Sequence, residues 1–187
     1  MKLGELLRNL DVLDASAAMD MEIGGVSYDS RKTQPGDLFV AIRGFESDGH
    51  KFIPAAMARG AAAVLCEEAP SDGTPYVRVA DCRKGLAYVS REFFGDPAKE
   101  MTLIGITGTS GKTTSSYLIK HMLEMKLDAK VGLIGTNGNM IGSECLHSDH
   151  TTPESYELHK LFRRMADEGC THVVMEVSSH ALALERV

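Results

Sequence analysis

Positive charge is in short supply: 20 Lys and Arg stand against 26 Asp and Glu, a formal charge of −6. A general nucleic-acid or membrane-surface binder would normally show a basic patch, so neither nucleic acid nor membrane is expected as a partner. The same shortage says nothing against a nucleotide, which needs only a few local cations and backbone N–H groups. Long apolar runs are also missing; none approaches the roughly 20 residues that cross a bilayer. No basic, then apolar, then small-residue leader opens the chain. Cys66, Cys82, Cys145 and Cys170 lie far apart with no C-x-x-C pair. Scattered reduced thiols are therefore expected, and with them a cytoplasmic location. Internal repeats and low-complexity segments are absent as well.

What is present is the balance of a globular protein able to bury a core: 43% hydrophobic and 25% charged residues over 187 positions. That length suits one ordinary domain or two small ones. Residues 1–98 read as "VSYDS" and "DLFVAI" (strands), "FIPAAMARG" (a helix ending at Gly60), "AAVLCE" and "YVRVA" (strands), then "DCRKGLAYVSREFF" (a helix with Asp81 as N-cap). This predicts a small α/β domain, and "GDPAKE" supplies a boundary. Residues 99–187 begin with the buried-looking strand "MTLIGIT". A helix is predicted from Lys112 to Leu127, with Leu118, Ile119, Met122 and Leu123 as its apolar stripe. "KVGLIGT" is a further strand, "NGNMIGSE" carries turn signals, "PESYELHKLFRRMADEG" is a helix opening on Pro153, and "HVVMEV" is a strand. The expected fold class is α/β, with a doubly wound, mostly parallel sheet in the second half. The chain stops straight after a core strand, so that sheet is expected to be incomplete and the chain a fragment.

The stretch "ITGTSGKTTSS" follows the first of these strands and opens a helix, the setting of a phosphate loop. Gly108 and Gly111 allow the backbone to turn its N–H groups inward, and the helix adds its free N–H groups and positive dipole end. Lys112 would reach the β- and γ-phosphates of a nucleotide, and the Thr113 hydroxyl would ligate Mg²⁺. The strict G-x-x-x-x-G-K-[ST] pattern needs glycine at 106, where Ile106 stands; G-T-x-G-K-T-T is intact. The bland alternative is a glycine turn beside a surface lysine. Glu176 in "MEVSSHAL" closes a strand at the end where such sheets bind ligands, and would suit Mg²⁺. Equally, Glu176 could solvate the strand end while Ser178 caps the next helix. In "HTTPE", Thr152 before Pro153 reads as an N-cap. His147 and His150 lack further ligands at metal spacing. Asp29, Ser30 and Arg31 of "YDSR" could be ordinary turn residues.

Taken together, "GITGTSGKTT", "HTTPES" and "MEVSSHALALERV", behind "SYDSRKTQPGDLFVAIRGFESDGHKFI", resemble the Mur ligases of peptidoglycan synthesis. Within that family the block D-S-R…G-D-L-F-V-A…D-G-H-K-F-I is most similar to the UDP-N-acetylmuramoyl-tripeptide synthetases. The family's phosphate loop also resembles G-T-x-G-K-[ST]-[ST], which accounts for Ile106. The resemblance implies an N-terminal UDP-muramoyl-substrate domain over 1–98 and the first part of an ATP-binding domain over 99–187. It implies ATP on Gly108, Thr109, Ser110, Gly111, Lys112, Thr113 and Thr114, with Lys112 catalytic, and Mg²⁺ on Thr113 and Glu176. Ser30, Thr151, Thr152, Ser178 and Arg186 would contact UDP-N-acetylmuramoyl-L-alanyl-D-glutamate, together with the backbone near Tyr28 and the turn Phe45-Glu46-Ser47, which lacks a His-Gln pair seen in some members. The implied reaction adds a diamino acid, meso-diaminopimelate or L-lysine, through an acyl phosphate, in a monomer. The machinery beyond Val187 would be needed for it, so this chain alone is expected to be inactive. Two alternatives remain: a UDP-sugar-binding module without catalysis, and another P-loop enzyme, including a different Mur ligase.

Overall fold

Short apolar runs punctuated by glycine and aspartate build two separate sheets in the computed structural model, which describes residues 1–44, 47–148 and 150–187. The chain divides into two compact units, Met1–Phe93 and Phe94–Val187. The division falls at the end of a helix, and the "GDPAKE" turn belongs to the second unit.

In the first unit the elements are α1 (Leu3–Leu6), β1 (Val12–Ala15), β2 (Gly25–Ser27), β3 (Asp37–Val40), α2 (Ile53–Ala58), β4 (Ala63–Cys66), β5 (Tyr76–Val79) and α3 (Cys82–Phe93). The strand order is β1-β5-β4-β3-β2, with β2 to β5 parallel and β1 antiparallel to β5. β3 and β4 are buried on both faces, as continuous apolar strands between helical layers must be. Phe39, Val64 and Cys66 pack with Ile53 and Ala56 of α2. On α3, Gly85 comes so close to Leu65 that an added Cβ would lie 2.7 Å from its Cδ2. Asp81 caps α3 as expected, accepting from the N–H groups of Arg83 (2.7 Å) and Lys84 (3.2 Å). Periodicity in the sequence does not signal α1 or β1; β1 is largely exposed and lacks a regular alternation.

The second unit holds β6 (Thr102–Ile106), α4 (Lys112–Leu127), β7 (Val131–Gly135), β8 (Gly138–Ile141), β9 (Glu144–Leu146), α5 (Ser155–Asp167), β10 (His172–Glu176) and α6 (Ser179–Ala183). Its sheet runs β6-β10-β7-β8-β9. β6, β10 and β7 are parallel, and β8 and β9 continue antiparallel. The segment "NGNMIGSE", expected as turns, is therefore mostly strand: Gly138 (φ +109°) and Gly142 (φ +58°) supply the two reversals around β8. α5 packs Leu158, Leu161, Phe162 and Met165 onto Ile134, Ile141, Val173 and Met175. It starts two residues after Pro153, which therefore precedes the helix rather than opening it.

The expected apolar stripe of α4 splits, with Ile119 and Leu123 half-buried and Leu118 and Met122 turned to solvent. Leu118 is 59% and Met122 62% exposed, whereas Ser116 and Lys120 are the buried residues of this helix. α4 lies over β7 and β10, so its inward turn positions are set by that crossing. Lys120 is tolerated there through its ion pair with Glu124 one turn on. β6 is the edge of its sheet, and Leu103 on it is exposed too. Among the described residues no helix is long and apolar enough to cross a membrane.

Candidate phosphate and carboxylate site

The loop after β6 adopts backbone conformations that require its glycines: Gly108 has φ +146° and Gly111 φ +78°. Gly111 sits in the N-cap position of α4, where a side chain would usually supply the acceptor, and none does. Among the described residues, the backbone N–H groups from Gly108 to Thr114 find no protein acceptor. Free N–H groups at the start of a 16-residue helix are a ready anion site. The Lys112 ammonium folds back to donate to the Gly108 carbonyl at 2.7 Å, which holds the one cation of the loop over its mouth.

Glu176 at the end of β10 is 1% exposed, and its carboxylate is fully engaged. The Thr136 N–H donates to Oε1 at 3.0 Å. The hydroxyls of Thr113 (3.0 Å) and Thr136 (3.2 Å) both donate to Oε2. Neighbouring strands explain the approach: Glu176 pairs with Ile106 of β6, and Met175 pairs with Ile134 of β7. A Cβ on Gly135 would stand 2.3 Å from Glu176 Oε1. Glycine is thus required there by the carboxylate, not by backbone conformation.

Thr151 and Thr152 extend the cluster. The Thr136 and Thr151 hydroxyl oxygens lie 3.0 Å apart. Because Thr136 spends its single hydroxyl proton on Glu176, Thr151 is the donor in that pair. Thr152 does not cap α5. Its hydroxyl donates to the Glu176 carbonyl at 2.8 Å and accepts from the Ser178 N–H at 3.2 Å. The sequence-local N-cap thus loses to a bond that ties the "HTTPE" loop to the end of β10. Ser178 does cap α6, accepting from the Ala181 N–H at 3.1 Å. Arg186 donates to the Thr152 carbonyl at 3.3 Å and forms an ion pair with Glu154.

The structure therefore brings Thr113, Glu176, Thr151, Thr152, Ser178 and Arg186 into one bonded neighbourhood beside the loop. Thr136 and Gly135 belong to it as well, although the sequence reading ended its strand at "KVGLIGT" without singling them out. The available signal was a Gly-Thr pair closing a buried strand. Ser30 lies in the first unit, in a turn where Arg31 pairs with Asp29 through two bonds of 2.9 and 2.8 Å. Asp29 is held below the ordinary carboxylate range by that side-chain bond. Buried Ser27 and Thr33, 3.0 Å apart, anchor the turn. Phe45 and Glu46 lie outside the described residues; the Ser47 carbonyl accepts from the Gly44 N–H at 2.9 Å. No group of three or more His, Cys, Asp or Glu side chains placed to hold a metal ion occurs among the described residues.

The Mur ligase middle domain matches residues 106–187, and the domain described as "Mur ligase family, catalytic domain" matches residues 22–99. The chain belongs to the Mur ligase family. A UDP-N-acetylmuramoyl-L-alanyl-D-glutamate--2,6-diaminopimelate ligase of Chlorobium phaeobacteroides is 48% identical, over all of this chain and 38% of its own length. A solved structure of a ligase of the same description superposes with a TM-score of 0.83 at 29% identity, over all of this chain and 37% of that one. A Mur ligase from Thermotoga maritima, MurF in complex with ADP, superposes with a TM-score of 0.56 at 26% identity, over 85% of this chain and 32% of that one. The chain thus spans well under half the length of these Mur ligases. Both of its units fall within the family, and the expected α/β class and mostly parallel sheet hold.

Proposed function

We propose that this chain supplies the UDP-substrate unit and the ATP cradle of a ligase that adds a diamino acid to UDP-N-acetylmuramoyl-L-alanyl-D-glutamate. The observation that carries the reading is the run of acceptor-free backbone N–H groups from Gly108 to Thr114, with the Lys112 ammonium bent over it. Such a cradle suits the β- and γ-phosphates of ATP, and the ammonium would swing from the Gly108 carbonyl to a phosphate oxygen. The overall charge of −6 does not oppose this, because the binding groups are local.

The donor set at Glu176 fits Mg²⁺. Thr113 and Glu176 offer hard oxygens that already meet at 3.0 Å, and the threonine proton can turn aside to expose a lone pair. When bound, the cation would neutralise charge on the transferred phosphoryl group. The remaining work falls to the chain's own residues. Lys112 steadies the equatorial oxygens during transfer of the γ-phosphoryl group to the D-glutamate carboxylate. Thr151, Thr152, Ser178, Arg186 and, in the first unit, Ser30 would orient the substrate. ADP leaves, and the amine of the diamino acid attacks the acyl phosphate. The tetrahedral intermediate expels phosphate, and the nitrogen loses its proton to give the amide.

The 2,6-diaminopimelate ligases among its relatives favour that diamino acid over L-lysine. The share of those relatives that the chain spans, 38%, favours a chain that binds but does not ligate. A cytoplasmic monomer is the form in which we expect it to act. Calorimetry tests the assignment: Mg·ADP binds the 187-residue chain, and Lys112→Ala weakens that binding at least roughly tenfold, the usual loss of a charge-assisted hydrogen bond. Unchanged affinity would sink the phosphate-loop assignment. Titration with UDP-N-acetylmuramoyl dipeptide alone tests the first unit: binding of this ligand without Mg·ADP would leave only the sugar-nucleotide module.

A further inference from the structure

We infer that Thr136 is a positioning residue for the cation site, resting on the reading of Thr113 and Glu176 as its oxygen donors. Thr136 is exposed, yet both of its hydrogen-bonding groups turn inward to one carboxylate. Its N–H holds Oε1 at 3.0 Å and its hydroxyl holds Oε2 at 3.2 Å. Glu176 Oε2 therefore accepts from two hydroxyls, those of Thr136 and Thr113, which accounts for both of its lone pairs. A cation arriving beside Thr113 displaces the Thr113 proton alone. The Thr136 bond stays and keeps the vacated lone pair aimed at the cation.

The arrangement separates positioning from stability. Thr136 packs into no core, so Thr136→Val, which keeps the shape and removes the hydroxyl, leaves the fold largely intact. It also leaves the N–H bond to Oε1 in place. What it removes is the fixed direction of Oε2, together with the acceptor of the Thr151 hydroxyl.

The experiment is calorimetric titration of the 187-residue chain with ADP at a series of Mg²⁺ concentrations, alongside thermal unfolding. Wild-type protein binds ADP more tightly as Mg²⁺ rises. In Thr136→Val the Mg²⁺ needed for half of that gain rises roughly tenfold, the scale of one lost bond to a charged group. Thr136→Ser, which restores the hydroxyl, returns it to within about threefold of wild type. A Mg²⁺ dependence in Thr136→Val equal to wild type, or a serine variant that fails to restore it, overturns the inference. A purely structural role would lower the unfolding temperature and leave the Mg²⁺ dependence alone, and that result also overturns it. Wild-type protein that binds no ADP at any Mg²⁺ concentration overturns both this inference and the nucleotide site on which it rests.

Discussion

Gly135→Ala isolates the close contact on which the carboxylate frame depends. The glycine's own φ lies outside the left-handed region, so alanine introduces no backbone strain and any cost comes from its Cβ. That atom would sit 2.3 Å from Glu176 Oε1, 3.0 Å from Cδ and 3.2 Å from Cγ. Ordinary contact begins near 3.4 Å, so the oxygen must retreat by about 1 Å, which is enough to break hydrogen bonds of 3.0 Å. The Thr136 N–H bond to Oε1 is directly at risk, and the Thr113 and Thr136 hydroxyl bonds to Oε2 shift with the carboxylate. Each bond to a charged group contributes about 1.5–3 kcal/mol, and water at the exposed Thr136 recovers part of it, so a net cost of about 3 kcal/mol is expected. Native-state hydrogen exchange on β7 and β10 amides reads that cost within the second unit alone. The same substitution made in a Glu176→Ala background meets no carboxylate and should cost less than about 1 kcal/mol. Equal costs in the two backgrounds, or a cost below about 0.5 kcal/mol in the wild type, would refute the contact as the reason for glycine.

Two further outcomes follow from titratable groups. The four cysteines are free, and only Cys145 is exposed; a thiol reagent near neutral pH should label Cys145 rapidly. Burial pushes the Cys66 thiol up to about 11, so Cys66 should react only on unfolding, and rapid labelling there would contradict its placement. In the first unit, the Asp48 carboxylate accepts from the His50 N–H at 3.0 Å and faces the His50 ring nitrogen at 2.7 Å. These bonds, the backbone one first, hold its pKa below the ordinary 3.8. The stabilisation is complete above 3.8 and is lost as pH falls through the lower folded value. Asp48→Asn should therefore flatten the loss of urea-measured stability below about pH 4; an unchanged slope would remove Asp48 from the acid response.

The fold was legible wherever local chemistry and burial agreed. Lys112–Leu127 was bounded correctly, because glycine ends the loop and the helix begins at once. Strands β3, β4, β7 and β10 announced themselves as apolar runs, since both of their faces are covered. Local rules fail where neighbours distant in sequence decide. Leu118 and Met122 look like a core stripe, but the sheet meets α4 on the Ser116 and Lys120 side. "NGNMIG" contains turn residues at both ends of a four-residue strand, and composition cannot separate the two. Thr152 satisfies the local rule for an N-cap, yet the end of β10, 24 residues away, offers its hydroxyl a buried carbonyl.

The site follows the same division. The proposed phosphate loop is contiguous, so its glycines, lysine and threonine are legible in one line. The carboxylate frame is assembled by register: β6, β10 and β7 are adjacent and parallel, so their carboxyl ends deliver the loop, Glu176 and Thr136 to one edge. In an antiparallel sheet of the same strands, Thr136 and Glu176 would fall at opposite ends. Parallel order therefore does more than bury the apolar runs. It makes the hydroxyl of Thr113, 63 residues from Glu176, a neighbour at 3.0 Å, and this long-range pairing sets further oxygen donors beside the glycine loop, where we propose that Mg²⁺ binds.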